Sequence, residues 1–412
     1  MLQNYIPSVQ YIILILIVIV WTLVYFVARS KKWNKRNIKI YPLIFMMDSL
    51  RMKKFIENQA KKHRRFWQYF SKMASIVMVL SIVFSLAYFT LNLIYLLQKK
   101  LIFTPSAIPI GAQLVPVIPF ITISPEFILI IIFASAIAIF PHELAHGAVS
   151  INEGIDIDHA GFFVFFGVIF GGYVKLPEEV EKILEDVSSG ETLENDEKNE
   201  NLLKKLTRVL AAGITANTIL AIVFFLMFIN ASVIISPFYS ERGIRVLNVI
   251  EDSPAEHYGI LPGDVIYRLN STEVYTIDDF ISFISSAHPG DLVVIETERG
   301  KLQIYLGSHP INASKAYLGV EIIRNYTPKF PFLPENGPYY FNNFIYILYT
   351  IQVLVIFLNA LPAFTMDGAK YLLLQLIICG IDKEKAFKIY LAVSILSLII
   401  LLGNILVSLA SL

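Results

Sequence analysis

Two histidines and a glutamate, His142, Glu143 and His146, stand in the stretch "IFPHELAHGA" at the end of the apolar run "FILIIIFASAIAIF". Ionisable groups inside a membrane segment cost roughly 2.5–3.5 kcal/mol each on insertion scales, so a functional reason for keeping them is expected. On a helix, residues i and i+4 share a face. His142 and His146 can therefore offer two imidazoles to one ion, with Glu143 beside them. This is the H-E-x-x-H spacing of a zinc site in which the glutamate works as a general base. Only seven histidines occur in the whole chain, which argues against accident, and buried histidines without a partner would be costly.

A zinc site that does chemistry needs three protein ligands and one position left open for water. The pentad supplies two. The third has to come from elsewhere, and among the later apolar runs one carboxylate stands out, Asp367 in "NALPAFTMDG". Pro362 and Gly368 flank it and break the helix there, exposing backbone inside the membrane. The competing reading is an aspartate that caps a following helix, Gly368–Ile378.

The elements that must carry these residues are membrane helices. Of 412 residues, 56% are hydrophobic and 16% charged, and the mean hydropathy is +0.62. Soluble domains use about 45–50% apolar residues. The net charge of +1 shows no basic signature for nucleic acid. The single cysteine, Cys379, cannot staple the fold or form a paired-cysteine metal motif. The first apolar run lacks a positive leader and a small-residue cleavage site, so it reads as a retained anchor. About six stretches are long enough to span: roughly Tyr11–Ala28, Met73–Leu97, Phe127–Ser150, Leu206–Asn230, Phe344–Leu361 and Ala386–Leu409. Ala160–Val174 is too short and glycine-rich to cross as a helix. It suits a re-entrant loop or a short strand pair held inside protein.

Basic residues crowd the loop from Arg29 to Lys72, opposed only by Asp48 and Glu57. The positive-inside rule places that loop in the cytoplasm and the N-terminus outside. The HELAH pentad and Asp367 then fall at matching depth in the cytoplasmic half. Interleaved Leu50, Phe55, Ile56, Phe66, Trp67 and Phe70 suggest basic helices lying on anionic lipid, with an ordinary positive-inside loop as the alternative. Pro177–Arg208 reads as an acidic linker with some helix. His63, His159, His257, His288 and His309 read as ordinary loop or surface residues.

Between the fourth and fifth spans lies an insert of short β-branched runs and turn signals. "SPAE", "GILPGDVI", a helix over Ile277–Ser286 and "VVIETERG" resemble a PDZ domain over about Arg242–Val320. PDZ domains bind an extended peptide at a sheet edge. The resemblance makes Tyr317, Leu318, Gly319 and Val320 a candidate carboxylate-binding loop in a permuted version of that fold. A domain of the same shape that only covers the enzyme is the competing reading.

The order of motifs resembles the site-2 protease family of intramembrane metalloproteases. It runs HELAH in a span, "GGYVKLPEE" soon after, "AGITANTILA" in the next span, a PDZ insert, and "NALPAFTMDGAK" in a later span. The resemblance implies Zn2+ held by His142, His146 and Asp367, with Glu143 as the catalytic acid/base. It implies a substrate or oxyanion contact at Asn217 and a substrate-pairing loop at Gly167, Gly171 and Gly172. Two departures concern the backbone: Ile214 follows Ala212-Gly213 where the family has proline, and Thr365-Met366-Asp367-Gly368 replaces a P-x-D-G pattern.

The fold expected is an α-helical polytopic membrane protein with about six transmembrane helices, a short membrane-embedded β or re-entrant segment, and an inserted α+β PDZ domain. The expected domains are an N-terminal membrane region with the basic loop (1–98), the first half of the catalytic core (99–237), the extracytoplasmic PDZ domain (238–335) and the second half of the core (336–412). The expected partners are single-span membrane substrates, the lipid bilayer, and a peptide C-terminus or substrate ectodomain at the PDZ domain, with no nucleic acid. Cleavage would release a cytoplasmic regulatory fragment. The alternatives are a membrane-anchored zincin cutting soluble loops and a non-catalytic PDZ scaffold.

Overall fold

The computed structural model describes residues 19–23, 25–27, 30, 38–41, 44–101, 125–165, 169–190 and 197–409. The chain divides into two compact units, one made of Met1–Phe225 with Ile345–Leu412 and the other of Leu226–Phe344. Among the described residues five helices are long and apolar enough to cross a membrane: Arg64–Gln98, Ile130–Asn152, Asn199–Ile229, Gly337–Ala360 and Lys383–Leu409. They correspond to the second to sixth expected spans. The first, about Tyr11–Ala28, falls largely outside the described residues.

In the first unit, strands β1 (Ile38–Ile40) and β2 (Ile44–Asp48) precede helices α1 (Leu50–Lys62), α2 (Arg64–Leu101) and α3 (Pro125–Asn152). Strands β3 (His159–Phe165) and β4 (Ile169–Lys175) follow, then α4 (Glu178–Ser189) and α5 (Glu197–Ile229). The four strands form one antiparallel sheet in the order β1-β2-β3-β4. The glycine-rich segment is thus a strand pair, but joined to two strands from the basic loop. Those two are short and flanked by charge, so their pattern is too brief to read as strands.

Helix α1 starts at Ser49, whose hydroxyl accepts the Met52 N–H at 3.2 Å, and ends on Lys61 and Lys62, which suit the helix dipole. Met52, Ile56 and Ala60 share one face and are buried with Ala145, Ala148 and Val149 of α3. Burying a side chain such as Ile56 is worth about 1.5–3 kcal/mol. Trp67 and Phe70 join that core, whereas Leu50, Phe55 and Phe66 stay exposed. The basic segment therefore packs onto α3 with half of its apolar residues, rather than lying wholly on lipid.

Among the described residues the acidic linker is more helical than its composition suggests. Helix α4 turns Val180, Ile183, Leu184 and Val187 onto the membrane-helix core and closes on Gly190 in the left-handed region.

In the second unit, α5 is followed by α6 (Ala231–Ile235), β5 (Tyr239–Val249), α7 (Pro254–His257), β6 (Val265–Leu269), β7 (Thr272–Glu273) and α8 (Ile277–Ser286). Next come β8 (Leu292–Thr297), β9 (Gly300–Tyr305), β10 (Gly307–Ser308), β11 (Ala316–Tyr317) and β12 (Val320–Pro328). The main sheet runs β12-β5-β6-β8-β9, with β7 on β6. Period-two alternation buries Val293, Ile295 and Thr297 of β8. A capping box at Thr276 and Asp279 starts α8. This is an inserted α+β unit with its own core of Ile244, Ile266, Leu269, Ile295 and Ile304.

The chain returns through α9 (Gly337–Ala360), α10 (Asp367–Ile378) and α11 (Lys383–Leu409). Small polar groups tie these helices together in place of water. Asn92 of α2 donates to Asn404 of α11 at 2.8 Å, and Ser85 of α2 donates to the Phe357 carbonyl of α9 at 2.7 Å.

Candidate metal centre

Helix α3 runs unbroken through Pro141, although that ring removes one i→i−4 hydrogen bond. His142, Glu143 and His146 lie on its inner side. Asp367 is the first residue of α10. Met366 stands at the N-cap position and makes no side-chain cap bond. Asp367 does not cap the helix; its carboxylate faces the histidines. Gly368 makes this placement possible, because a Cβ there would overlap the carbonyl of Ala360 at the end of α9. Phe364, in the intervening turn, has φ +38°. That conformation costs a bulky residue about 1–3 kcal/mol.

The three side chains converge. His142 Nε2 is 3.0 Å from His146 Nε2. Asp367 Oδ2 is 3.4 Å from the first and 3.3 Å from the second. A tetrahedral zinc with bonds of about 2.0–2.1 Å has ligand–ligand edges of ~3.3 Å.

The hydrogen bonds behind the rings fix what those atoms carry. His146 Nδ1 lies 2.7 Å from the Val209 carbonyl, which can only accept, so the ring proton is on Nδ1. His142 Nδ1 donates to Asn217 Oδ1 at 2.9 Å. In the neutral form of each ring Nε2 is then a bare lone pair, facing the other ring and a carboxylate. Three acceptors aimed at one point repel unless a cation lies between them. His142, His146 and Asp367 therefore form a group that could hold a metal ion.

Glu143 is one residue from this group. Its Oε2 accepts the backbone N–H of Val174 in β4 at 3.1 Å. A cavity of about 780 Å³ opens onto His142, Glu143, His146 and Asp367, and onto Asn359 and Lys370. It gives the carboxylate a path to water.

Asn217 is fully buried. Its Oδ1 faces His142, and its amino group donates to the Ala138 carbonyl at 3.2 Å and to Gln352 Oε1 at 2.9 Å. The amide is thus engaged entirely by protein and holds the His142 ring. Gly171 and Gly172 lie in β4, beside the site. A Cβ on Gly171 would meet Ile139, and one on Gly172 would meet Met52. Their lack of side chains lets the strand press against α3 and α1. Gly167 lies outside the described residues. Tyr317, Leu318, Gly319 and Val320 belong to the inserted unit. The Leu318 carbonyl takes the Ala255 N–H at 2.9 Å and the Gly319 carbonyl takes the Ile250 N–H at 2.9 Å.

Val209 and Gly213 escaped the sequence reading. With Asn217, which it named, they form an i, i+4, i+8 stripe on α5 beside the histidines. A Cβ on Gly213 would strike Nε2 of both. The stripe is visible in the spacing once one knows which way α5 faces. Gln352 and Asn359, seven apart on α9, are polar residues on one face of an apolar helix, which is itself a signal.

Comparison with known proteins adds the following. The sequence profile of Peptidase family M50 matches residues 128–401. An uncharacterized protein of Methanocaldococcus jannaschii is 26% identical over 366 residues, 87% of this chain and 83% of its own length. A sequence-predicted zinc metalloprotease of Clostridium perfringens is 28% identical over 42% of this chain and 51% of its own length. A membrane-bound transcription factor site-2 protease homolog of Arabidopsis thaliana is 27% identical over 45% of this chain and 32% of its own length. The chain thus spans about half or less of the last two. Among solved structures, the PDZ domain of the SdrC-like protein from Listeria monocytogenes is 24% identical and aligns with 20% of this chain and 90% of its own. The TM-score is 0.19, and that likeness carries no weight here.

Proposed function

Because the chain belongs to peptidase family M50, the site-2 protease family, and is therefore a membrane metalloendopeptidase, we propose that it cuts a peptide bond within or near the transmembrane helix of a single-span substrate. The observation that carries this reading is the convergence of one ligand atom each from His142, His146 and Asp367 beside Glu143, with both histidines on a helix long and apolar enough to cross a bilayer. Zn2+ is the ion we assign to His142, His146 and Asp367. Zinc in such a site supplies a Lewis acid and brings the pKa of a water toward ~7.

Each residue then has a task. His142 and His146 present their bare Nε2 atoms, held by Asn217 and the Val209 carbonyl. Asp367 adds a charged oxygen. Glu143, anchored by the Val174 N–H, takes a proton from the attacking water and later delivers it to the leaving amine.

A transmembrane helix hides its carbonyls in its own hydrogen bonds, so the substrate has to unwind before it can be cut. Strand β4 offers the unwound segment a place. Among the described residues it pairs with β3 along one side only, and the Val174 N–H, bonded to Glu143, lies on the other side. By the two-residue alternation of a strand, the backbone groups of Phe170 and Gly172 face that same edge. A stretch of substrate added there would lie alongside Glu143.

We further propose that the basic segment before α2 is cytoplasmic, with the N-terminus and the inserted unit outside. The centre then opens toward the cytoplasm and cleavage frees a cytoplasmic regulatory fragment. The inserted unit, read as a PDZ domain, screens substrate ectodomains or takes a peptide C-terminus at Tyr317–Val320.

The test is Glu143→Gln in purified protein with a single-span reporter. Zinc should stay bound while cleavage falls by about 10²–10⁴-fold. Full activity in that variant would remove Glu143 from the mechanism.

A further inference from the structure

We infer that Gln352 is a positioning residue for the metal centre. Its side-chain oxygen fixes the amide of Asn217, and through it the Nδ1–H tautomer of His142. The inference rests on the reading of His142 as a metal ligand.

The assignments follow in order from an atom whose role is not in doubt. The Ala138 carbonyl is backbone and can only accept, so the Asn217 atom 3.2 Å away must be the amino nitrogen. Asn217 Oδ1 is then the atom 2.9 Å from His142 Nδ1, and that nitrogen must carry the ring proton. His142 Nε2 is left bare, 3.4 Å from Asp367 Oδ2. The amino nitrogen has a second hydrogen, and Gln352 Oε1 receives it at 2.9 Å.

Asn217 and Gln352 are both fully buried, so water does not substitute for either contact. Without the Gln352 oxygen, one N–H of Asn217 points into an apolar interior. The 3.2 Å bond to the Ala138 carbonyl is then left to oppose the other rotamer of the amide, which places the amino group on His142 Nδ1 and drives the ring proton to Nε2, where it blocks metal binding. Gln352 also ties α9 to Asn217 of α5, whose other bonds reach Ala138 and His142 of α3. One buried amide pair therefore joins the helix that carries both histidines to α9, which leads through the turn at Pro362 to Asp367.

Gln352 Nε2 has no hydrogen-bond partner among the described residues. The residue is needed for its oxygen alone, which makes two substitutions diagnostic. Gln352→Met keeps the length and removes the acceptor. Gln352→Glu keeps an acceptor and removes the unpaired amino group.

The experiment measures zinc affinity of the full-length protein by chelator competition, together with ring ¹⁵N shifts of His142 in the metal-free protein. Partners of ligating groups typically contribute 10–100-fold to metal affinity. Gln352→Met should bind zinc about tenfold more weakly and shift His142 toward the Nε2–H form. Gln352→Glu should stay close to the unsubstituted protein in both. The inference fails if Gln352→Met matches the unsubstituted protein in affinity and tautomer, or if Gln352→Glu loses as much as Gln352→Met. A protein that binds zinc, loses it in His142→Ala and keeps it in Gln352→Met would overturn this inference alone. A protein that binds no zinc at all would overturn the reading of the site with it.

Discussion

A hydrogen atom in place of a methyl group at Gly213 is what leaves room for the two imidazoles, since a Cβ would fall on Nε2 of both. Both atoms are rigidly held from behind, so they cannot retreat without losing their Nδ1 bonds. Gly213→Ala should therefore weaken zinc binding by at least tenfold, within the 10–100-fold range of changes that disturb ligand orientation. α5 should keep its helix, because alanine is the better helix former. Zinc titration with circular dichroism checks both parts. At this scale the sequence was partly legible. His142, Glu143 and His146 are a motif with a mechanism, and Asp367 is a carboxylate where none should be without cause. Gly213 was hidden, because glycine has no chemistry of its own to announce, and Gln352 gave only the weaker signal of a polar residue in an apolar helix. Only the facing of α5 and α9 turns them toward the site.

Among the elements, a strand pair was one of two readings of Ala160–Val174, the other being a re-entrant loop; its extension by β1 and β2, which are too short to show a period, was not expected. Gly171 and Gly172 were expected as part of a substrate-pairing loop. In the fold their first effect is close packing of β4 on α3, and it is the edge of the strand away from β3 that faces Glu143. In the inserted unit the helix Ile277–Ser286 was legible to the residue, because a capping box marks its start. That unit also carries a measurable pH response. Asp264, at the turn into β6, is buried; burial alone would raise its pKa. The bonds from Arg299 and from the Leu261 N–H outweigh burial and hold the carboxyl below its usual range. A carboxyl with a lowered pKa in the folded state stabilises fully above its unfolded value of about 3.9. The contribution is lost as pH falls through the folded value. Hydrogen-exchange protection of residues 259–266 in the full chain should therefore fall on acidification below about pH 4. Asp264→Asn should flatten that dependence. A slope unchanged by the substitution would remove Asp264 as its source.

On the scale of the whole molecule, membrane helices surround a site whose parts are 221 residues apart in sequence, counted from His146 to Asp367 (367 − 146). The apolar runs made the spans readable, and the matching depth of two motifs made their meeting readable. What the runs could not show was the angular setting of each helix, which decides whether a carboxylate at the right depth points inward. The claim on which the rest depends is that two imidazoles and a distant carboxylate hold one ion. Metal analysis with zinc X-ray absorption on the purified full-length protein tests it directly, beside Asp367→Asn. The account predicts one zinc per chain, bound by two imidazole nitrogens and oxygen ligands, and a clear loss of that zinc in Asp367→Asn. Zinc retained in Asp367→Asn at the same stoichiometry and with the same ligand shell would contradict it.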